Sequence, residues 1–421
     1  MITSSLLVVL LIAQFVAAFV YLWWQDRGVY LHDIRVFFLL CFALYTLFWP
    51  ITMVGLGTVE DDSAFSQTVL AYNLAVFGFN LVLFVNHKKW PTKGDFDLDA
   101  GKKNFWLGIV FLFFLVAYSF YFMYSRGVPV FAFSSFNLDR LDYFQNVDQL
   151  WVILKFIIAS AASYLIFYLK KLDKMQRIAL ISIIVFYVLY QASLGNRNEY
   201  ALIVFFTMGY FLAARKKPVS LKILLVLFVL FVSSFWITIM RSADSRNLRG
   251  NQAVELAMQS NEFMYPIQTT YYIIKDKWPH RYGETYTIHV IKQIIPRSWQ
   301  KDKPQSLGSE FIAKTFGSGW SGWAYTPVTE AYLNFGIVGP FIIYFIIGLI
   351  MNSLTTEVWK KGITFKYLMA YSIIFNFCRG DVSSTLYMVL FLWLTYLVMK
   401  KIMPSRGLKG NIKNELAAKA Q

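Results

Sequence analysis

The sequence contains a long succession of apolar runs, each about as long as a bilayer is thick. A helix needs about 20 residues to cross the hydrocarbon core. The runs therefore predict an all-α polytopic membrane protein with about eleven transmembrane helices, near residues 3–24, 36–57, 65–86, 105–124, 151–169, 177–195, 199–214, 221–240, 333–353, 364–378 and 383–400. The first run lacks a basic n-region and a small-residue cleavage site, so it is expected to be a retained helix rather than a signal peptide.

The distribution of charge supports a membrane protein rather than one that binds nucleic acid. The chain carries a formal net charge of +16, yet only 15% of its residues are charged and 57% are hydrophobic. Most of the excess positive charge lies in short loops between apolar runs, where it orients helices. No nucleic-acid partner is expected.

Basic residues in the loops predict the orientation of the chain. Alternate short loops and the C-terminal tail hold 24 Lys and Arg residues, beginning with Arg27 and Arg35, whereas the opposite short loops hold four Arg residues. By the positive-inside rule the basic side is cytoplasmic. The N-terminus is therefore expected outside the cytoplasm and the C-terminus inside it.

One predicted outer loop, residues 241–325, is much longer than an ordinary connection. Residues 251–275 and 284–295 within it have apolar and aromatic residues at helical spacing, which predicts short helices on the outer face. No linker or repeat divides the chain. Residues 1–421 are therefore expected to form a single membrane domain.

The type of basic residue differs between the two sides. The predicted cytoplasmic loops and tail hold 19 Lys and 5 Arg, whereas the outer loops hold 6 Lys and 9 Arg. Arg binds phosphate or carboxylate with a rigid, bidentate fork. The outer arginines therefore favour an anionic ligand, most simply a diphosphate on a lipid carrier. The alternative is that each contacts lipid headgroups or pairs locally, as Arg379 could with Asp381.

Candidate acid–base residues also lie on the predicted outer side. Glu330 precedes the ninth span, where a carboxylate can be partly buried and act in proton transfer; alternatively, it favours the helix dipole as a first-turn acid. His280 and His289 are expected to be surface residues. The acidic run of Glu60, Asp61 and Asp62 is only weakly specific for a metal, so no metal or other cofactor is expected. Nucleotide-binding and zinc-protease motifs are absent from the sequence.

Four stretches resemble bacterial oligosaccharide repeat-unit polymerases, the Wzy-type O-antigen polymerases related to O-antigen ligases. They are RGVPVFAFSSFNLDR (126–140), LGNRNEY (194–200), IPRSWQKDKP (295–304) and TPVTEAYLNFGIVGP (326–340). The resemblance implies a GT-C-type glycosyltransferase in the bacterial cytoplasmic (inner) membrane, with its active site facing outwards. Such an enzyme transfers the growing glycan from undecaprenyl diphosphate to a new lipid-linked repeat unit. Its implied partners are undecaprenyl-diphosphate-linked oligosaccharides and membrane lipids, and a polysaccharide chain-length regulator is a further candidate.

The candidate site residues follow from the resemblance together with the arginine pattern. Glu330, Arg197 and Arg297 are the candidate catalytic residues. The candidate contacts to diphosphate or glycan are Arg126, Arg140, Arg241, Arg246, Arg379, Tyr332 and Asn334.

Three other functions stay open at this point. An O-antigen ligase would need the same diphosphate-binding cavity. A transporter or flippase of lipid-linked sugar would be expected to place ionisable groups within its spans, where Lys155 is the main example here. A metal-dependent glycosyltransferase with a monophosphate donor would use the acidic run at residues 60–62.

Overall fold

The computed structural model describes residues 2–59, 61–86, 96, 98, 104–125, 149–193, 197–215, 263–295, 300, 306–317 and 324–403. Helices connected by turns and short irregular segments make up these ranges. No β-strand occurs within these ranges. Their α-helices are α1 (Ile2–Asp26), α2 (Ile34–Leu56), α3 (Asp62–Val85), α4 (Phe105–Tyr124), α5 (Gln149–Phe167), α6 (Lys174–Ser193), α7 (Arg197–Arg215), α8 (Tyr265–Lys275), α9 (Ile288–Ile294), α10 (Leu307–Thr315), α11 (Pro327–Phe335), α12 (Gly339–Lys361), α13 (Phe365–Phe377) and α14 (Val382–Ile402).

Seven helical stretches of the described chain are long and apolar enough to cross a membrane. These are α1, α2, α3, α4, α6, α14, and α11 taken together with α12; shorter apolar helices lie within α5 and α7. An all-helical, polytopic membrane protein is thereby confirmed. The predicted span at 221–240 lies outside the described residues, and the number eleven stays a prediction.

The ninth predicted span has different bounds in the structure. Instead of one helix from residue 333, α11 ends at Phe335 and a 3₁₀ turn, Gly336–Val338, leads into α12 at Gly339. Gly336 has φ 62° and ψ −152°, a backbone conformation that residues with a Cβ rarely adopt. The apolar pattern continues through this break, which is why hydropathy alone did not locate it.

Contacts between helices divide the chain into two compact units. One comprises Met1–Gly94, Leu212–Lys360 and Ile373–Tyr387, and the other comprises Asp95–Phe211, Lys361–Ser372 and Met388–Gln421. The prediction of a single membrane domain stays a prediction. The candidate acid Glu330 belongs to the first unit.

Polar bonds join helices inside the first unit. The Gln14 amide donates to Asn73 Oδ1 at 2.8 Å, and the amides of Asn73 and Asn80 donate to backbone carbonyls of α1 at 3.0 and 3.1 Å. Hydrogen bonds of this kind hold apolar helices in register where water is absent. At Gly78, α3 approaches α12 so closely that an added Cβ would lie 2.4 Å from the Phe341 carbonyl oxygen.

The second unit is held by packing of aromatic and small residues. The Phe122 and Trp151 rings stack with centroids 5.9 Å apart, and the Ser160 hydroxyl donates to the Leu392 carbonyl at 2.9 Å. Lys155, the charged residue noted within a predicted span, is buried with its Nζ 5.2 Å from the Trp151 ring centroid. The Trp151 ring thus offers this cation a favourable contact in an apolar setting.

Arg35 is not a loop cation exposed to solvent, although it is one of the residues that predict orientation. Its side chain is fully buried, and its Nη2 lies 2.6 Å from Asp33 Oδ2 and 3.5 Å from Asp26 Oδ2. The Asp33 carboxylate also accepts the Arg35 backbone N–H at the start of α2. A buried guanidinium is tolerated here because carboxylates pair with it.

The described part of the predicted outer loop has a small core of its own. Helices α8, α10 and α11 bury an apolar cluster formed by Ile273, Leu307, Phe311, Ile312, Tyr325 and Leu333. Helix is confirmed in part of each expected segment: α8 covers 265–275 of the segment 251–275, whose residues 251–262 lie outside the described residues, and α9 covers 288–294 of the segment 284–295. Helix α10 was not predicted. The loop residues around the candidate site are therefore held by packing.

Candidate functional site

Helix α11 positions Glu330 and Asn334 on the same face. The helix begins after Thr326, whose hydroxyl accepts the Thr329 backbone N–H at 3.0 Å, and Pro327 occupies its first turn. Both are favoured helix-start residues. Because residues four apart face the same direction, Glu330 and Asn334 reach the same neighbouring segment.

The Glu330 carboxylate is fully buried and joins three segments of the chain. Its Oε1 accepts the Thr285 hydroxyl at 2.6 Å, and its Oε2 accepts the Val382 backbone N–H at 2.6 Å. Val382 is the first residue of α14, so the carboxylate lies at the positive end of that helix dipole. Both oxygens are thus engaged in hydrogen bonds with other segments.

Asn334 completes the same network. Its Nδ2 donates to Thr285 Oγ1 at 2.6 Å and to the Glu330 carbonyl at 2.7 Å, while its Oδ1 accepts the Gly283 N–H at 2.9 Å. The side chain is fully buried. Asn334 therefore fixes the 283–285 segment against α11, which is a positioning contact within the protein.

Two carboxylates meet at the N-terminus of α14. Besides Glu330, Asp381 accepts the Ser383 hydroxyl at 2.8 Å and the Ser384 backbone N–H, as helix-capping residues do. Arg379 lies in the turn just before this cap, and its side chain is half-buried. Glu330 is thus hydrogen-bonded to a residue only three positions after Arg379, a candidate diphosphate-binding residue.

Two phenols near Glu330 have no hydrogen-bond partner among the described residues. The hydroxyl groups of Tyr286 and Tyr325 are both buried. Burial, followed by the charge of Glu330, raises the pKa of Tyr286 and of Tyr325 above the ordinary value. Both phenols therefore remain protonated, and neither hydroxyl proton has an acceptor among the described residues.

His289 is buried rather than on the surface, so the expectation for this histidine was wrong. Only 5% of its surface is exposed. Burial lowers the pKa of His289, and Asp381 acts in the opposite direction. The net direction is towards the neutral imidazole. His280, by contrast, is exposed as expected.

A charged group lies beside this network. Arg281 and Lys314 both contact the Glu310 carboxylate, with the Lys314 Nζ at 2.7 Å from Oε1. Burial raises the pKa of Glu310, but the hydrogen bonds from Lys314 and Arg281 outweigh it and the pKa is lowered. The Arg281 backbone N–H donates to the Leu333 carbonyl at 2.9 Å, which attaches this group to the end of α11.

Of the remaining candidate site residues, the structure describes Tyr332 fully and Arg197 only in its backbone. Tyr332 is half-buried on α11, two residues beyond Glu330. Arg197 is the first residue of α7, but its side chain lies outside what the structure describes. The other candidate ligands lie wholly outside the described residues: Arg126, Arg140, Arg241, Arg246 and Arg297. The roles assigned to all of these residues stay predictions.

The acidic run at residues 60–62 has structural contacts where it is described. Asp61 caps α3 by accepting the backbone N–H groups of Ser63 and Ala64, both at 3.0 Å. Asp62 accepts the Ser4 hydroxyl. Within the described ranges no group of three His, Cys, Asp or Glu side chains is placed to hold a metal ion.

Several residues of the network were not anticipated from the sequence. Thr285, Tyr286 and Tyr325 have no motif of their own, and the Val382 N–H is a backbone group. The Asp-Val-Ser-Ser sequence at 381–384 is the one available signal, because an acid followed by Ser residues is typical of a helix start.

Comparisons with known proteins give one match. The model of the family described as O-antigen polysaccharide polymerase Wzy matches residues 1–404. No curated protein and no solved structure matches the chain significantly. The family match covers nearly the whole chain, including every helix described above. The chain is therefore a multi-pass membrane protein that belongs to the O-antigen polysaccharide polymerase Wzy family, whose members join lipid-linked oligosaccharide repeat units.

Proposed function

We propose that this chain transfers a growing oligosaccharide from undecaprenyl diphosphate onto a new lipid-linked repeat unit at the outer face of the bacterial cytoplasmic membrane. A hydroxyl of the acceptor sugar attacks the anomeric carbon of the donor. The bond from that carbon to the diphosphate oxygen breaks, undecaprenyl diphosphate leaves, and the hydroxyl proton passes to a base. The reaction needs neither a nucleotide nor a metal ion, and the enzyme is of GT-C type.

One observation supports this proposal most directly. The Val382 N–H donates to Glu330 at 2.6 Å, which links α11 to the turn that carries Arg379. A guanidinium held in place can stabilise the negative charge that develops on the leaving diphosphate. Glu330, on this proposal, acts by positioning the 378–382 turn.

The other arginines supply the rest of the proposed diphosphate site. Arg197 and Arg297 are assigned the closest contacts to the leaving group, and Arg126, Arg140, Arg241 and Arg246 bind diphosphate or glycan. Arginine suits this role because it stays charged when partly removed from water.

The charge bias of the loops supports the proposed orientation. With the lysine-rich loops in the cytoplasm, residues 241–325 and the turn at Arg379 face the outside, where lipid-linked repeat units would be polymerised. The proposed partners are these lipid-linked units, the surrounding lipids and a polysaccharide chain-length regulator.

The proposal is tested with purified full-length protein, a synthetic undecaprenyl-diphosphate-linked repeat unit, and EDTA. We expect a ladder of longer lipid-linked products, separated by electrophoresis. A matched reaction with a monophosphate-linked donor should give none. Absence of elongation with the diphosphate donor, or dependence on added metal, would refute the mechanism.

Cells distinguish the related functions. A deletion strain should keep the product with a single repeat and lose only the long chains. Loss of every band, including the single-repeat product, would instead identify a ligase. With the purified protein in liposomes, movement of the lipid-linked sugar across the membrane without elongation would identify a transporter.

A further inference from the structure

A cavity of about 360 Å³ lies beside the N-terminus of α3, the end of α8 and one face of α11. Its lining includes Gln67, Lys275, Lys277, Trp278, His280 and Tyr332. Tyr332 is two positions after Glu330, which places the two side chains on different faces of α11. The cavity is thus distinct from the buried Glu330 network, and its size falls in the range of about 300–1,000 Å³ usual for ligand sites.

The aromatic side of this cavity is held in place by packing. Trp278 and Tyr332 are half-buried and pack against the apolar cluster of α8, α10 and α11. Lys314 Nζ lies 4.8 Å from the Trp278 ring centroid, and the His280 ring meets Tyr332 edge-on at 5.9 Å. Rings fixed in this way present apolar surface at little entropic cost on binding, because their side chains are already ordered.

Backbone hydrogen bonds at the end of α8 hold residues 277 and 278 in place. The Trp278 N–H donates to the Ile273 carbonyl and the Lys277 N–H to the Ile274 carbonyl, both at 3.1 Å, which is a Schellman motif. Lys277 occupies its left-handed position with φ 50°, where glycine is usual. These two hydrogen bonds fix the backbone that carries Lys277 and Trp278, both of which line the cavity.

The polar side of the cavity is lined by two lysines and by further hydrogen-bond donors. Lys275, Lys277, His280 and Gln67 are exposed and can donate hydrogen bonds to a ligand. The acid in the lining, Asp61, accepts two backbone N–H groups of α3. The cavity therefore combines apolar rings with hydrogen-bond donors and two ammonium groups, and the exposed Asp276 lies between the two lysines in the sequence.

We propose that this cavity is a binding subsite for an acidic oligosaccharide segment of the substrate, apart from the bond being formed. An apolar sugar face would lie against Trp278 and Tyr332, with hydroxyl groups toward Gln67 and His280. A sugar carboxylate would pair with Lys275 and Lys277, since such charge-assisted hydrogen bonds are the strong ones. The inference rests on the proposed function, and it specifies that the repeat unit carries an acidic sugar.

Binding is measured on the full-length protein in detergent, by saturation-transfer NMR. The probe is the free oligosaccharide released from the producing cell's own lipid-linked repeat units. We expect Lys275→Gln combined with Lys277→Gln to weaken binding by about tenfold or more, because hydrogen bonds to charged groups are lost. His280→Ala should weaken it less. Lys174→Gln, an exposed lysine elsewhere in the chain, is the matched control and should bind normally.

The outcomes distinguish failure of the proposed subsite from failure of the proposed polymerase function. Equal binding by the double lysine variant and the control would overturn the subsite. Displacement of the probe by inorganic pyrophosphate at equal concentration would overturn the assignment to a glycan. Reduction of the sugar carboxylates to alcohols should remove the difference between wild type and the lysine variant. Elongation is assayed separately on the same preparation, so that its absence with intact binding would count against the proposed polymerase alone.

Discussion

At the scale of single residues, Glu330 is a carboxylate without solvent exposure that nevertheless has a partner for each oxygen. An isolated buried carboxylate would be strongly unfavourable, and its hydrogen bonds offset that cost. Both partners come from segments outside α11. The side chain therefore connects elements, which is the basis for assigning it a positioning role.

Two substitutions distinguish positioning from proton transfer. We expect Glu330→Gln to keep most of the elongation activity, because its amide oxygen can accept the Val382 N–H and its NH₂ group can donate to Thr285. Glu330→Ala removes the acceptor of the Thr285 hydroxyl proton and of the Val382 N–H, although Thr285 Oγ1 still accepts from Asn334. The variant should pay about 1–3 kcal/mol for each donor left unsatisfied. It should lose at least about tenfold in elongation, in line with that cost.

The measurement is the product ladder per mole of folded protein, together with thermal unfolding in detergent. Glu284 is an exposed acid in a 3₁₀ turn, Glu284–Tyr286, next to Thr285, and Glu284→Gln serves as the control. An inactive Gln variant that unfolds at the wild-type temperature would contradict positioning and identify Glu330 as the base.

The sequence could predict the acid but not its partners. Glu330 and Asn334 lie within a motif-like stretch, whereas Thr285 is 45 residues away from Glu330 and Val382 is 52 residues away. Helical or strand periodicity relates only residues within one element, so it could not predict either contact. His289 was assigned to the surface because a lone loop histidine gives no signal of burial, which depends here on tertiary packing.

At the scale of helices, α3 and α12 are packed through glycine. A Cβ at Gly78 would lie 2.4 Å from a backbone oxygen of Phe341, which cannot move aside as a side chain could. Small residues allow membrane helices to approach in this way. Gly348 of α12 also lies close to α3, where an added Cβ would be 3.1 Å from Val82 Cβ, so the packing of these two helices depends on glycine in both of them.

Gly78→Ala should therefore destabilise the protein by about 1–3 kcal/mol, the usual cost of overpacking. Gly55→Ala is the matched control within α2, because nothing lies within 4 Å of its added Cβ. That substitution should be neutral or stabilise the helix by up to about 1 kcal/mol. Thermal unfolding followed by tryptophan fluorescence compares them, and equal midpoints would contradict the close contact.

Most helices, but not all of their ends, could be predicted from hydropathy. The break at Gly336 is flanked by apolar residues on both sides, so the window average does not fall there. Helix α10 is short, and its burial depends on contacts with α8 and α11 rather than on its own pattern. Local composition determines whether a helix crosses a membrane, while tertiary contacts determine where it bends.

At the scale of the whole molecule, the orientation of the chain is the main untested prediction. Arg35 is buried with Asp33 and contributes little to the loop charge, yet the remaining bias toward one side is still large. The two native cysteines, Cys41 and Cys378, are both buried. Single cysteines introduced at exposed positions can therefore be labelled against a low background.

We expect Lys277→Cys to react with a membrane-impermeant maleimide in intact spheroplasts. Lys360→Cys should react only after permeabilisation, because the lysine-rich loops are predicted to be cytoplasmic. Both positions are exposed. Labelling is read from a gel shift. If Lys360→Cys reacted in intact spheroplasts and Lys277→Cys only after permeabilisation, the chain would have the opposite orientation and the site would not face outwards.

The pairing of Glu330 with the first residue of α14 also has a temporal consequence. A ribosome makes residues 283–334 well before it makes Val382, so the buried carboxylate has no backbone donor from α14 until almost the entire chain has emerged. Closure of the network is thus one of the last events in biogenesis. Nascent chains arrested before residue 382 would lack the bond, however well their earlier helices had inserted.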